Sequence, residues 1–254
     1  MATRDLVMAR INLFGVLRSI QELLALDSES RQLVADTNLT VEFIVRGCCR
    51  GALTFADGAC EFAEGRAEKA DIRLFFTSPA HLNRMVEGRA NPIPLKGWFR
   101  IGFLTGPFTK LTDRLSHFLR PAEGSLDDPE FFGINTKLST FVAFHAVTEV
   151  ANWDERGRAS AKQIPDGVLQ LRVQQGGPSL AIEVAGGRLR TRVGEQAGYR
   201  CLMWFRDLET LAEVLKDDTD SFVLFAGGRA GIKGYVPMAD KLNSILGLLP
   251  GYLN

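Results

Sequence analysis

The chain has 254 residues, 46% hydrophobic and 24% charged, which is the composition of an ordinary globular protein and enough for two domains with separate cores. Thirty basic residues balance thirty acidic ones, so the formal net charge is zero. This balance argues against nucleic-acid binding and against a polybasic membrane anchor, because both use a surplus of Lys and Arg. No apolar run approaches the roughly 18–20 residues that cross a bilayer, and the first residues lack the apolar core of a secretory signal. We therefore expect a cytoplasmic protein.

The first half of the chain predicts helices that flank a run of strands. Apolar residues at helical spacing predict an amphipathic helix over 6–26. Period-two alternation and the Asp57-Gly58 turn signal predict four strands, at 39–45, 53–55, 59–62 and 71–76. Thr77 or Ser78 caps the next helix, which has Pro79 in its first turn. A fifth strand is predicted at Trp98–Phe103, and a last amphipathic helix from about Pro107 to Leu119.

The second half repeats this order after a linker rich in Pro, Gly and Asp. The predicted divisions are a domain at 1–120, a linker at 121–135 and a domain at 136–254. A helix near 138–150 precedes strands that contain Leu169–Val173, Leu180–Val184, Leu189–Val193 and Cys201–Phe205. A helix capped by Asp207, the stretches Phe222–Phe225 and Arg229–Lys233, and a helix from about Pro237 complete the half. Leu39 aligns with Val168, and Leu82 with Leu211, at the same separation along the chain, which indicates an internal duplication.

Short motifs inside each half resemble those of the sterol carrier protein 2 (SCP2) domain family. In the first half they are Ala70-Asp71, Gly88, Asn91-Pro92, Gly97, Arg100-Ile101-Gly102 and Lys110-Leu111. In the second half they are Gly228, Gly231-Ile232-Lys233-Gly234 and Lys241-Leu242. The second half departs from the pattern at Tyr199-Arg200 and at Asp217–Asp220, where the family has Ala-Asp and Asn-Pro or Asp-Pro. The resemblance implies an α+β fold of two tandem SCP2-like domains, each a mostly antiparallel five-stranded sheet covered by helices.

Residue types that carry chemistry do not group along the sequence. His81, His117 and His145 lie far apart in predicted helices, and the four cysteines have neither metal-ligand nor redox spacing. We therefore predict no catalytic residues, no metal site, no cofactor and no enzymatic activity. An enzyme whose groups converge only in the folded chain remains the third hypothesis.

The resemblance also implies a function, namely the non-catalytic binding or transport of a fatty acyl, sterol-like or polyprenyl lipid in an apolar cavity between sheet and helices. The candidate lining residues are Phe and Met side chains with one Leu: Met85, Phe99, Phe103, Phe108, Phe118, Met203, Phe205, Phe225, Met238 and Leu242. The same residues could instead simply fill the core. The alternative function is an accessory or scaffold protein that presents a lipid-like intermediate to partner enzymes. The predicted partners are thus a small hydrophobic ligand and a possible partner enzyme, with no nucleic acid, no transmembrane segment, and transient membrane contact left open.

Overall fold

The computed structural model describes residues 3–216 and 221–253, and these divide into two compact units, Thr3–Ile134 and the residues from Asn135 onward. The acidic stretch 217–220 lies outside the described residues. Each unit is α+β and contains one five-stranded mixed sheet with accompanying helices. The fold class predicted from the sequence is therefore confirmed.

The first unit begins with a helical series where the sequence predicted one helix. Its members are α1 (Arg4–Ile11), a π turn (Asn12–Val16), a 3₁₀ turn (Leu17–Ser19), α2 (Ile20–Leu26) and α3 (Ser28–Leu33). The apolar side chains that produced the helical pattern, such as Leu13, Ile20 and Leu24, are buried. Asp27 separates α2 from α3, and its carboxylate accepts a hydrogen bond from the Ser30 N–H at 3.0 Å. This is an N-cap, which satisfies a backbone donor that the start of a helix leaves open.

The sheet of the first unit has the strand order β3-β2-β1-β4-β5. Its strands are β1 (Leu39–Val45), β2 (Cys49–Ala56), β3 (Ala59–Glu64), β4 (Ile72–Phe76) and β5 (Ile93–Lys96). Only β1 and β4 pair in parallel, and the predicted hairpin at Asp57-Gly58 joins β2 to β3. Alternate residues of β1, including Val41, Phe43 and Val45, are buried, so the sheet has one apolar inner face.

The predicted fifth strand at Trp98–Phe103 is wrong, because the strand ends earlier and this stretch is helical. Helix α4 (Pro79–Val86), capped by Ser78 as expected, leads into β5. After β5 come a 3₁₀ turn (Trp98–Arg100), α5 (Ile101–Phe103), a π turn (Leu104–Phe108) and α6 (Thr109–Leu119). Prolines at 92 and 94 hide the alternation of β5, although an edge strand tolerates them.

Gly97 sets the point at which β5 turns into helix. Its φ is +93°, and a Cβ there would lie 2.7 Å from the Asp71 carbonyl oxygen. Both facts require glycine.

The second unit repeats the topology of the first. Its helices are α7 (Pro129–Trp153, which starts before the unit boundary), α8 (Glu155–Ala161), α9 (Leu208–Lys216), α10 (Ser221–Ala226), α11 (Val236–Leu246) and α12 (Pro250–Leu253). Its strands are β6 (Gly167–Val173), β7 (Ser179–Ala185), β8 (Arg188–Val193), β9 (Cys201–Phe205) and β10 (Ala230–Gly234). The strand order β10-β9-β6-β7-β8 is the same as that of the first sheet when the strands are listed from the opposite edge. The first and fourth strands of this unit, β6 and β9, are again parallel.

Two stretches of this half differ from their sequence-based interpretation. Phe222–Phe225, which has the length of a strand, lies in helix α10. The predicted linker at 121–135 contains a 3₁₀ turn (Ser125–Asp127) and the first residues of α7. Helix α7 starts there because the Asp128 carboxylate accepts the Phe131 N–H at 2.7 Å and Pro129 suits the first turn.

Gly234 is the counterpart of Gly97. Its φ is +90°, and a Cβ there would lie 2.2 Å from the Arg200 carbonyl oxygen. Arg200 directly precedes the first residue of β9, and Asp71 directly precedes that of β4. The motifs Arg100-Ile101-Gly102 and Gly231-Ile232-Lys233-Gly234, which both end in Gly, indicate that Gly102 corresponds to Gly234. The structure corrects this, since Gly97 occupies the position of Gly234.

The alignment of the two sheets also changes at the first strand. Val41 pairs with Ile72 at the start of β4, and Leu169 pairs with Cys201 at the start of β9. Val41 of β1 is therefore the equivalent of Leu169 of β6. By the same alignment Leu39 corresponds to Gly167 rather than to the predicted Val168.

Candidate functional site

Four phenylalanine rings meet on the inner face of the first sheet. Phe43 in β1 and Phe55 in β2 come from the sheet, and Phe103 and Phe108 come from the helical residues after β5. The ring centroids of Phe55 and Phe103 are 5.3 Å apart, those of Phe103 and Phe108 6.1 Å, and those of Phe43 and Phe108 6.2 Å. These spacings are those of interacting aromatic pairs. We call the four rings the aromatic cluster.

The helical residues that carry two of these rings, 98–108, form what we call the cover segment. It changes helix type twice, and its π turn contains Gly106 and Pro107. Hydroxyl groups take part in its backbone bonding: Thr105 Oγ1 donates to the Ile101 carbonyl at 3.2 Å, and Thr109 Oγ1 to the Leu104 carbonyl at 2.8 Å. Glycine, proline and π turns all weaken the regular bonding of a helix. The cover segment is thus an irregular helical stretch that lies over the first unit's inner sheet face.

The cover segment leads from the buried cluster to an exposed apolar surface. Phe108 is buried and Phe103 half-buried, whereas Phe99 is fully exposed at 104% and Trp98 is 62% exposed. We call the exposed large apolar residues around this point the apolar tip: Ile93, Leu95, Trp98, Phe99 and Ile101.

The five predicted lining residues of the first unit separate into different locations. Phe103 and Phe108 belong to the aromatic cluster, and Met85 is half-buried on α4. Phe118 is buried, but its ring packs on Phe131 with centroids 5.0 Å apart at the other end of α6. Phe99 does not line a pocket, because it lies in the 3₁₀ turn that replaced the predicted strand and points into solvent.

In the second unit four of the five predicted residues contribute to the interior. Met203 and Phe205 alternate with Trp204 on β9 and pair with Leu171 and Val173 of β6, which places them on the inner face. Met238 and Leu242 are buried on α11. Phe225 is 45% exposed on α10, so it does not line an enclosed pocket there. It was misplaced because the stretch that contains it is helical.

Two ionisable side chains of the first unit, Glu22 and Cys60, are buried near β3, at the opposite edge of the sheet from β5. Glu22 on α2 is buried, and neither carboxylate oxygen has a hydrogen-bond partner among the described residues. Burial raises the pKa of Glu22, and the charge of Arg18 offsets part of this increase. Burial likewise raises the pKa of the Cys60 thiol on β3. A thiol with a raised pKa is a poor nucleophile, so Cys60 has the properties of a structural cysteine.

Two surface cavities of the first unit differ from the predicted apolar one. One of about 360 Å³ is lined by residues 44–50 and Phe75, and one of about 290 Å³ by residues such as Thr40, Thr54 and Lys69. The first lies at the turn between β1 and β2, and the second beside the loop that follows β3.

Within residues 3–216 and 221–253, no group of three or more His, Cys, Asp and Glu is placed to hold a metal ion. No helix of that part of the chain combines the length and the apolar character needed to cross a bilayer.

No protein family's sequence profile matches this chain, and no curated protein matches it. Several solved structures match parts of this chain. The ubiquinone synthesis protein UbiJ-SCP2 matches at 13% identity over 40% of this chain and 87% of its own, with a TM-score of 0.33. Sterol carrier protein 2 from Yarrowia lipolytica matches at 14% over 46% and 94%, with a TM-score of 0.34. The second sterol carrier protein domain of Helicoverpa armigera matches at 14% over 46% and 91%, with a TM-score of 0.35. These are structures of the family that the sequence motifs resemble, and each corresponds to less than half of this chain.

Proposed function

We propose that the first unit binds a hydrophobic ligand of the fatty acyl, sterol-like or polyprenyl class between the cover segment and the inner face of the sheet. The observation that carries this proposal is the continuity of apolar surface from the exposed Trp98 and Phe99, through the half-buried Phe103, to the buried Phe108. A ligand that enters along this path meets apolar side chains throughout. Binding requires no polar anchor, because the burial of an apolar chain itself supplies favourable free energy.

The aromatic cluster is filled by its own side chains, so the ligand takes the place of Phe103 and Phe108 when the cover segment moves outward. An acyl chain of about 16 methylenes gains up to roughly 13 kcal/mol on leaving water, at about 0.8 kcal/mol for each. Ordering of the chain and displacement of the rings consume much of this gain. The irregular bonding of the cover segment lowers the cost of its movement, since fewer regular helical hydrogen bonds break.

In this proposal residues 1–120 and 136–254 are two SCP2-like domains of a non-catalytic carrier that acts in the cytoplasm. The second domain has Met203, Phe205, Met238 and Leu242 in its interior, and we assign it a structural role beside the ligand-binding first domain.

The test begins with denaturing extraction of the purified chain followed by mass spectrometry, which should find about one lipid per chain. A fluorescent fatty acid should then bind to the delipidated protein. Phe103→Ser should weaken this binding at least tenfold, because the displaced Phe103 ring covers the bound ligand in this proposal, and Ser would replace that apolar contact with a hydroxyl. Phe225→Ser is the matched control, the same substitution on the second unit, and should leave binding unchanged.

Circular dichroism of both variants separates a lost site from a lost fold. A chain that carries no lipid and does not bind the fluorescent fatty acid would contradict the carrier function. A stable complex with a partner enzyme under those conditions would instead favour the accessory role.

A further inference from the structure

The apolar tip exposes five large apolar side chains along one short stretch of the chain. Leu95, Trp98 and Phe99 are each more than half exposed, and Ile93 and Ile101 are at least 40% exposed. Single exposed apolar residues are ordinary, but a continuous group that includes Trp and Phe marks a surface with a partner. The tip is formed by the edge strand β5 and the helical residues that follow it.

The charged residues that the tip's own stretch contributes all have one sign. From Gly88 to Thr112 the chain contains Arg89, Lys96, Arg100 and Lys110 and not a single Asp or Glu, although the whole chain has equal numbers of acids and bases. Arg100 lies 3.6 Å from the Asp71 carboxylate, and the Lys96 ammonium donates to the Ala70 carbonyl at 2.6 Å. These two contacts hold the bases beside the tip. Lys110 is exposed, and Arg89 is exposed but pairs with the carboxylate of Glu87, which lies just before this stretch.

Exposed aromatic rings on a stretch of chain whose own charged residues are all basic match the physical profile of a negatively charged lipid surface. Rings of Trp and Phe enter the boundary between headgroups and acyl chains, while Lys and Arg interact with anionic headgroups. A protein partner would need complementary acidic residues around an apolar pocket. A bilayer provides both properties without a shaped counterpart, which fits a tip that projects its side chains outward.

The second unit has a weaker version of the same arrangement beside its own fifth strand. Val223, Phe225, Tyr235 and Val236 are exposed around β10. Residues 221–239 contain Arg229 and Lys233 and no acidic residue, although the acidic stretch 217–220 precedes them and Arg229 pairs with the Glu213 carboxylate. Each unit thus has exposed apolar residues next to its fifth strand, with fewer bases available in the second unit than in the first.

We propose that the apolar tip docks the first unit onto membranes that contain anionic phospholipids. Trp98 and Phe99 insert at the interface, and the basic residues of the same stretch interact with the headgroups. This inference does not rest on the proposed function, because docking needs only the outer surface of the unit and no ligand under the cover segment.

The test measures flotation of the chain with vesicles of phosphatidylcholine alone and of phosphatidylcholine with phosphatidylglycerol. The chain should bind the anionic vesicles and lose binding as salt increases. Trp98→Ser combined with Phe99→Ser should weaken binding at least tenfold. The matched control is Val193→Ser combined with Tyr199→Ser, which removes two exposed apolar residues elsewhere and should leave binding unchanged.

The charged residues and the tryptophan allow two further measurements. Lys96→Gln with Lys110→Gln should weaken binding to anionic vesicles about fivefold for each charge removed. Lipids brominated on the acyl chain should quench the tryptophan fluorescence of the unaltered chain. Trp98→Phe should still bind but lose this quenching, because Trp153 and Trp204 stay outside the bilayer.

Three results would overturn the docking proposal: no binding to anionic vesicles, binding that Trp98→Ser with Phe99→Ser leaves intact, or quenching that persists in Trp98→Phe. A concentration-dependent dimer that the double Ser variant dissociates, without vesicle binding, would show that a second copy covers the tip. Vesicle binding by a chain that fails the fatty-acid test would support docking while contradicting the carrier function.

Discussion

The two units share a sheet but differ in where each places its additional apolar segment. The stretch from Leu211 to Gly234 is longer than the equivalent stretch from Leu82 to Gly97. Conversely, the stretch from Gly97 to Leu111 is longer than that from Gly234 to Leu242. The first unit thus has its extra residues after the fifth strand, as the cover segment, and the second unit has them before it, as α10. The ends of the fifth strand, at the edge of each sheet, are where this fold accepts new segments.

A second comparison concerns the aspartate that separates two helices ahead of each sheet. Asp27 caps α3, and Asp154 caps α8 by accepting the Gly157 N–H at 2.8 Å. Asp27 also accepts two hydrogen bonds from the Arg114 guanidinium of α6, at 2.6 and 2.8 Å. Asp154 accepts one from the Tyr252 hydroxyl of α12 at 2.8 Å. Both aspartates therefore tie their helices to a C-terminal helix of their own unit, one through a charged pair and the other through a neutral phenol.

The largest expected effect is the loss of stability when Gly97 or Gly234 is replaced, and it tests whether these two glycines are equivalent. Gly97→Ala and Gly234→Ala should each lower the stability of their own unit by about 2–4 kcal/mol, because a Cβ at positive φ would collide with a backbone carbonyl. Hydrogen–deuterium exchange with mass spectrometry should locate the loss of protection in peptides of the altered unit.

Gly102→Ala is the control for this pair. Gly102 lies in helix α5 with open space around it, so alanine should stabilise the first unit by about 0.5–1 kcal/mol. A destabilisation by Gly102→Ala as large as that of Gly234→Ala would restore the alignment that the motifs first suggested.

An intermediate effect is expected from the two aspartates. Asp27→Asn should cost about 1–2 kcal/mol at neutral pH, since Asn still caps a helix but the partly buried Arg114 is left with the exposed Glu29 carboxylate as its ion-pair partner. Asp154→Asn should cost less, about 1 kcal/mol, because the Asn oxygen can still accept a hydrogen bond and the substitution leaves no buried cation behind. Equal losses of stability in the two variants, measured by hydrogen-exchange protection in each unit, would show that the Asp27–Arg114 ion pair stabilises its unit no more than the Asp154–Tyr252 hydrogen bond.

The pH dependence of the Asp27 contribution has a definite sign. Burial raises the pKa of Asp27, but hydrogen bonds from Arg114 and Ser30 outweigh this and lower it below the ordinary value. The ion pair therefore contributes its full stability above the unfolded pKa of about 3.9 and loses it as pH falls through the lower folded pKa. The stability difference between the unaltered chain and Asp27→Asn should shrink below about pH 4.

The smallest expected effect concerns the two phenylalanines that the sequence placed in a pocket. Phe99→Ser and Phe225→Ser should each change stability by no more than about 0.5 kcal/mol, because both side chains are exposed. A urea midpoint that falls clearly in either variant would show that the ring is packed in solution and would reopen its assignment as a lining residue.

Local pattern was enough to predict the first four strands of each sheet, since residues such as Val41 and Leu169 alternate with outward-facing ones. The fifth strand was missed because Pro92 and Pro94 interrupt the alternation, while Trp98–Phe103 alternates by chance within a helix. The role of Gly97 depends on its approach to the Asp71 carbonyl, which is distant in sequence and which no local pattern contains.

The candidate site shows the same limit. Phe103 and Phe108 were selected from the sequence as apolar residues near the last helix, but their meeting with Phe43 and Phe55 depends on the position of the cover segment. The apolar tip was not predicted. Its signal was available in the sequence as the absence of acidic residues between Glu87 and Asp113, together with Trp98 and Phe99. Averaging the charge over the whole chain concealed it.

The prolines of the fifth strand have one further consequence, for solubility at high concentration. Strand β5 is the last strand of its sheet and has Ile93 and Leu95 exposed, a combination that invites another chain to add a strand and begin aggregation. Pro94 lies between them and has no N–H to donate, and Pro92 directly precedes the strand. A surface that must stay apolar can thus remain exposed while its backbone resists growth into an extended intermolecular sheet.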